Sequence, residues 1–421
     1  MLTIRTFFFE GKASCFYLSP GTGYLFQIFF ITVPEDFHPR TKEGLPTKKS
    51  LLPLTFIAII LAISITTLVG APPELGLSTL ATIGHPVRLS EQMTQYFKEN
   101  LSIRQSLQNL SLQLRLMGGN REINGIFLAN DGLIKNFSAT TDTSIYQKNT
   151  QSLLEFVQTT KTPCALVLIP TACVIYQDQV PDYAPIEKTN QKLFIEETTK
   201  AFAGLATGVD VYTPLYDARD RYLYYRTDDN LTTEGGFVVY QTLAKRLGLT
   251  PKTPEDFALD NLGEGYYGPL YDQWGYGGVK PDTIMAWRYI SQPRAWQVDH
   301  WLRYENRTYY SLYPTEAVVQ GEEINGILGG LSPKITITTL GSGAKGSLLV
   351  LGDRTTLSYL PFLAIHYQTI TFADTSLLTD SEVRALNPED YDQVLFSYSL
   401  DTYLNTSEPY RASSIGSTAT Q

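Results

Sequence analysis

Hydrophobic and polar positions change their rhythm several times along this chain. The strongest apolar run is Leu51 to Gly70, LLPLTFIAIILAISITTLVG, which carries no charge. As a helix rising ~1.5 Å per residue, twenty such positions reach the ~30 Å of a hydrocarbon layer. Lys48 and Lys49 flank its amino side and no base follows closely, which predicts an uncleaved anchor over 48–70 with the rest of the chain outside the membrane. Val69-Gly70-Ala71 resembles a small-residue cleavage site, so a cleaved signal peptide is the competing reading. Residues 1–47 have no clear periodicity; a cytoplasmic tail and a leader ahead of the true start both remain open. Residues 71–87 read as a Pro/Gly-containing linker.

From about Leu89 to Met117 the spacing predicts a long helix, with Leu107, Leu110, Leu114 and Met117 on one stripe. Gly118-Gly119-Asn120 ends it, and INGIFLANDGLIKNF predicts a hairpin turning on Asn130-Asp131-Gly132. Helices and strands then alternate. CALVLIP, from Cys164 to Pro170, is a continuous apolar run of the kind buried parallel strands show. A helix is expected over about 186–205, a strand at Val209–Thr213, and another in the aromatic run Tyr222–Tyr225. Thr232 offers an N-cap hydroxyl to the next helix, whose Tyr240, Leu243 and Leu247 recur at helical spacing before Gly248. Antiparallel strands are expected over about 253–340. A strand, a turn at Gly352-Asp353, a helix and a further strand follow from Gly346 to Asp374, and Tyr391–Ser399 is one more strand. Residues 88–406 are thus expected to form an α/β domain with a mostly parallel sheet flanked by helices, and 407–421 a disordered, Ser/Thr-rich tail.

Net charge of −9 without a long basic run excludes a nucleic-acid footprint. Three cysteines make no disulfide framework; Cys164 and Cys173 flank one strand and read as structural thiols. Only His38, His85, His300 and His366 are available as imidazole bases.

Two motifs carry a family resemblance. Arg221 to Leu249, RYLYYRTDDNLTTEGGFVVYQTLAKRLGL, resembles the signature of the bacterial DHHW family, T-D-H-H-W-T-T-x-G followed by an amphipathic helix. Thr227, Asp228, Thr232, Thr233 and Gly235 are in register; the two His positions are Asp229 and Asn230, and the Trp position is Leu231. LLVLGDRTTLSYLPFL resembles the family's nucleophile block, with Gly352, Asp353 and Pro361-Phe362-Leu363 in register and Arg354 at the serine position. The stretch 261–283 resembles a further family segment ending K-P-D-T. The family is related to SGNH-type esterases and alginate O-acetyltransferases. The resemblance therefore implies an SGNH-like fold, an extracytoplasmic setting, and a former Ser-His-Asp set at Arg354, Asn230 and Asp228.

Acyl transfer needs a nucleophilic hydroxyl or thiol and a base. Arginine stays protonated, and an asparagine amide takes up no proton. Removing a triad member typically removes ~10⁴-fold of rate. Thr355 and Thr356 are rotated by ~100° per residue from the serine direction, His366 lies well along the chain, and His300 sits in the antiparallel region. Oxygen ligands at Asp228, Asp229, Asn230 and Asp353 would share their pocket with the Arg354 cation, so no metal and no cofactor is expected. Instead, Arg354 and Asp228 should face one another as an ion pair. Tyr267, Tyr271, Trp274 and Tyr276 are candidates for stacking on sugars. The expected function is a membrane-anchored, catalytically inactive subunit that binds a cell-envelope glycan or a membrane acyltransferase. An active carbohydrate esterase or O-acetyltransferase working through substituted residues is the alternative.

Overall fold

The computed structural model describes residues 7–9, 12–15, 31–32, 104–137, 144–184, 190–275, 277–341 and 343–415. The chain divides into two compact units, 1–111 and 112–421. In the first, short strands at Phe7–Phe9, Lys12–Cys15 and Ile31–Thr32 form an antiparallel ladder. The apolar run at 51–70 and the linker after it lie outside the described residues. No helix among the described residues is long and apolar enough to cross a membrane.

The second unit begins within helix α1 (Arg104–Met117). Its expected apolar stripe is not its packing face: Leu110, Leu114 and Met117 are exposed. Leu112 is buried instead, in a small cluster with Ile126, Leu133, Leu270 and Trp274, and Leu116 packs against that cluster. Three short strands, β1 (Glu122–Ile123), β2 (Ile126–Leu128) and β3 (Leu133–Lys135), form the hairpin structure expected after the helix. Helix α2 (Ser144–Thr159) then buries Leu153, Phe156 and Val157. The expectation of a disordered tail is corrected at its start: Pro409–Ser414 is a helical turn packed on α2, where Ser152 donates to the Tyr410 carbonyl at 2.6 Å and Ala412 is buried.

An eight-stranded mixed sheet organises the body. Its strands are β4 (Cys164–Ile169), β5 (Thr207–Val209), β8 (Ala295–Trp301), β9 (Asn306–Tyr309), β10 (Lys334–Leu340), β11 (Ser347–Gly352), β12 (Thr369–Asp374) and β13 (Gln393–Ser399). The order is β9-β8-β10-β12-β11-β13-β4-β5. From β12 to β5 all neighbours are parallel; β9, β8 and β10 extend the sheet antiparallel. Every residue of β4 is buried, and β11 and β13 are nearly so, because parallel strands at the centre are covered on both faces. In β10 burial alternates along KITITTL, as one covered face requires. Helix α3 (Asn190–Ala201) precedes β5, and α4 (Thr233–Arg246) starts on its Thr232 cap, where the hydroxyl accepts from the Gly235 N–H at 3.1 Å. A separate antiparallel pair, β6 (Phe257–Tyr266) and β7 (Asp282–Tyr289), encloses the short helix α5 (Pro269–Trp274) between its strands. The expected antiparallel region therefore splits, half as this pair and half as a continuation of the central sheet.

Two strand expectations are corrected. Tyr222–Tyr225 is not a strand of the sheet. It folds back on the residues that follow, with one bridge from Tyr224 to Leu231 and backbone bonds Tyr225 N–H to Asn230 O (3.1 Å) and Thr232 N–H to Leu223 O (2.9 Å). Tyr224 and Tyr225 are buried all the same, and Tyr224 donates to the Pro170 carbonyl at 2.6 Å. Aromatic burial imitated a strand pattern without a sheet edge to pair with. The strand expected at Val209–Thr213 ends at Val209, and Tyr212 already opens a helical turn after Asp210 accepts its N–H at 2.9 Å.

Candidate functional site

The carboxyl ends of β4, β11 and β13 open into a cleft of about 170 Å³, in the place where parallel α/β sheets concentrate their chemistry. Ile169 and Pro170 come from the end of β4, Asp353, Arg354 and Thr355 follow β11, Ser399 ends β13, and Asp401 and Thr402 follow it. Asp229 and Asn230 reach it from the loop before α4, and Lys135 from β3.

That loop is held by a carboxylate from the far end of the β6–β7 pair. Asp282, fully enclosed, accepts from the backbone N–H groups of Arg226 (2.8 Å) and Thr227 (3.0 Å) and from the hydroxyls of Thr227 and Tyr222. Burial raises its pKa and these donors oppose that rise. Gly268 approaches so closely that a Cβ there would lie 2.6 Å from the Cβ of Asp228; its N–H donates to the Thr227 hydroxyl at 2.9 Å. Thr227 thus joins three segments, and Asp228 is aimed inward.

Asp228 and Arg354 form a direct ion pair, with the carboxylate side chain fully buried and the guanidinium side chain 34% exposed. The same carboxylate accepts from the Tyr266 hydroxyl at 2.6 Å, the Asn230 amide at 2.8 Å and the Asn230 N–H at 3.2 Å. Asn230 Oδ1 in turn accepts the Thr355 hydroxyl at 3.3 Å. Burial opposes the charge on Arg354, but the Asp228 carboxylate and the Tyr266 hydroxyl outweigh it and raise its pKa. Asp353 is occupied structurally: it accepts from the N–H groups of Thr355 (3.0 Å) and Ser399 (2.7 Å), tying the end of β11 to that of β13. Asp229 lies half-exposed in the cleft wall, 3.9 Å from Lys135, which also meets Asp401 at 2.9 Å. Burial, and then the Asp228 carboxylate beside it, push Asp229 up to about 6.

Neither histidine of the described residues meets a cleft hydroxyl. His300 Nε2 lies 2.6 Å from the Leu328 carbonyl, and burial lowers its pKa. His366 Nε2 lies 2.8 Å from the Tyr240 hydroxyl, and burial holds its pKa at about 4. Among the described residues no cluster of His, Cys, Asp and Glu is arranged to hold a metal ion. Cys164 and Cys173 are buried and unbridged, and burial pushes Cys164 up to about 12, out of reach of thiolate chemistry at neutral pH.

Among the sugar-stacking candidates, Trp274 is corrected. It is 1% exposed and donates its ring N–H to the Gly277 carbonyl at 3.1 Å, so it packs the small cluster under α5 and offers no face to a ligand. Tyr271 packs partly against that cluster with its ring 4.0 Å from that of Tyr267, which is exposed. Tyr276 lies outside the described residues. Sequence reasoning passed over Tyr266, Asp282 and Lys135. Asp282 stood inside the K-P-D-T segment; Tyr266 is the buried last residue of β6, whereas Tyr267 after it is exposed.

A second acidic group, Glu408, is crowded by carboxylates. Burial, then the Asp374 and Asp353 carboxylates, push Glu408 up to about 7, against a smaller opposing effect of Arg411. A raised carboxyl pKa means the native state holds its proton where the unfolded chain has lost it, so stability falls as pH rises from the ordinary glutamate range through about 7. Glu408→Gln is therefore expected to raise Tm at pH 8 and to lose most of that gain at pH 5, as read by thermal melts at the two pH values.

No protein-family model and no curated protein sequence matches the chain. Solved structures do. A DHHW family protein from Eubacterium siraeum superposes with a TM-score of 0.56 at 14% identity, over 70% of this chain and 98% of that one. Bacillus cereus PatB1 superposes with a TM-score of 0.53 at 15% identity, over 68% and 98%. PatB1 in a form with a sulfonyl adduct gives 0.52 at 14%, over 68% and 97%. The α/β fold of this chain, a mixed sheet flanked by helices, is the fold it shares with these proteins.

Proposed function

We propose that this protein is a membrane-anchored, extracytoplasmic DHHW-type subunit whose cleft binds at the cell envelope without catalysing acyl transfer. One observation carries the reading: the residue standing where the family resemblance places the nucleophile is Arg354, and its charge is spent on Asp228. A guanidinium is no nucleophile, and Asn230, in the place of the base, takes up no proton and donates its amide to that same carboxylate. The polar cleft with Lys135, Asp229 and Asp401 at its rim suits a polyhydroxylated ligand, and Tyr267, exposed next to the Gly268 that packs on Asp228, supplies an aromatic face. A cell-envelope glycan is the favoured ligand, and a membrane acyltransferase the favoured protein partner. Membrane attachment through residues 48–70 is supported by the uncharged run and its flanking lysines.

The test is turnover of an aryl acetate. The unmodified chain is expected to show none above background, whereas Asn230→His combined with Arg354→Ser restores the residue types of an acyl-transfer set beside Asp228 and is expected to gain measurable hydrolysis. Turnover by the unmodified chain would reject the reading.

A further inference from the structure

Helix α1 carries two apolar rows, and the body covers one of them. Leu112 and Leu116 hold the helix to the cluster of Ile126, Leu133, Leu270 and Trp274. On the other side Leu110, Leu114 and Met117 are 52%, 61% and 84% exposed. Large apolar side chains exposed in one contiguous row mark an interaction surface.

The spacing of that row says what the partner is. Leu107, Leu110, Leu114 and Met117 follow one another by three, four and three residues, the a/d seam of a coiled coil rather than the broader face of a helix lying on a globular core. The same frame runs back through the sequence ahead of α1. Leu89, Tyr96 and Ile103 continue the d row and Met93 and Asn100 the a row, so the repeat covers about four heptads from Leu89 to Met117. In this frame Leu112 and Leu116 fall at f and c, away from the seam, so docking on the body and pairing use different faces. Two further positions select a parallel second copy. Asn100 is the one amide in the two rows. Parallel helices set a against a, where two Asn side chains satisfy each other, whereas an antiparallel pair sets Asn100 against the apolar d row. Glu99, at g, stands opposite Arg104, at the next e of a parallel partner. The other such pairs, Gln92 with Phe97 and Ser106 with Ser111, set no like charges together.

We propose that α1 is one half of a parallel, two-fold homodimer, in which Leu107, Leu110, Leu114 and Met117 pack against the same residues of a second copy. The pairing is independent of what the cleft binds and of whether it catalyses. Attachment through 48–70, proposed above, would orient two copies the same way in one membrane, as a parallel pair requires. The 14 residues of α1 are too few for a stable pair by themselves, so the full chain with its upstream heptads is the pairing species.

Sedimentation velocity of the full-length chain in density-matched detergent tests this. A dimer is expected at micromolar concentration. Leu114→Glu, a change at an exposed site, is expected to weaken it by at least about 100-fold, since two carboxylates would then face each other in an apolar seam. Glu99→Lys should weaken it by roughly 10-fold, and adding Arg104→Glu should regain most of that, because the exchanged charges attract again. Under mild oxidation Leu110→Cys is expected to form an interchain disulfide beyond the background of the unmodified chain, and Arg115→Cys, at b, is not. A monomeric unmodified chain, a dimer that Leu114→Glu leaves intact, or a Leu110→Cys chain that stays uncrosslinked would overturn the proposal. A Glu99→Lys loss that Arg104→Glu fails to regain would overturn the parallel arrangement. Protection of a Leu114→Cys thiol from maleimide that appears only in anionic vesicles, and does not vary with protein concentration, would assign the face to lipid and likewise overturn it.

Discussion

Asp282→Ala is expected to be the most damaging single substitution at the site, costing on the order of 4 kcal/mol of stability. The carboxylate is fully enclosed and is the acceptor for two backbone N–H groups and two hydroxyls of the loop that carries Asp228. Each buried donor left without an acceptor costs ~1–3 kcal/mol, and partial opening of the loop to water keeps the total below the full sum. Asp282→Asn keeps one acceptor oxygen but turns an amide N–H₂ toward donors, so about half of the loss is expected to remain. Urea melts at neutral pH read both values. An alanine variant within about 1 kcal/mol of the unmodified chain would mean that the loop is held by something other than this carboxylate.

Arg354→Met is expected to cost about 2 kcal/mol. Removing one member of a fully buried pair typically costs ~3–5 kcal/mol because the remaining charge has no counterion. Here the guanidinium is one-third exposed, and Asp228 keeps the Tyr266 hydroxyl and the Asn230 amide, so the smaller figure is the right one. The double variant Asp228→Asn, Arg354→Met carries no orphan charge and should recover more than half of the loss. Chemical denaturation of the two single variants and the double variant gives the coupling directly. A double variant as unstable as the sum of the singles would show that the two charges do not depend on one another.

Much of this architecture was legible along the chain. CALVLIP, GSLLVLG and the run before Ser399 became the buried parallel strands they resemble, because a strand covered on both faces has no polar face to write. Thr232 became the cap of α4, and the hairpin of β2 and β3 turned at the expected Asn-Asp-Gly, since caps and turns depend on neighbours only a few residues away. The misreadings share a cause. Tyr222–Tyr225, Trp274 and the stripe of α1 were judged by local pattern, and what each ring or leucine touches depends on segments far off in sequence.

The residue types alone established that position 354 holds no nucleophile and position 230 no base, because an arginine stays protonated and an asparagine amide takes up no proton wherever it sits. Only folding decided that Asp228 and Arg354, 126 positions apart, become partners, with Tyr266 and Asn230 sharing the carboxylate and Asp282 holding the loop. A buried charge must find its counterion across whatever distance the sheet imposes, and that distance is set by strand order rather than by spacing along the chain.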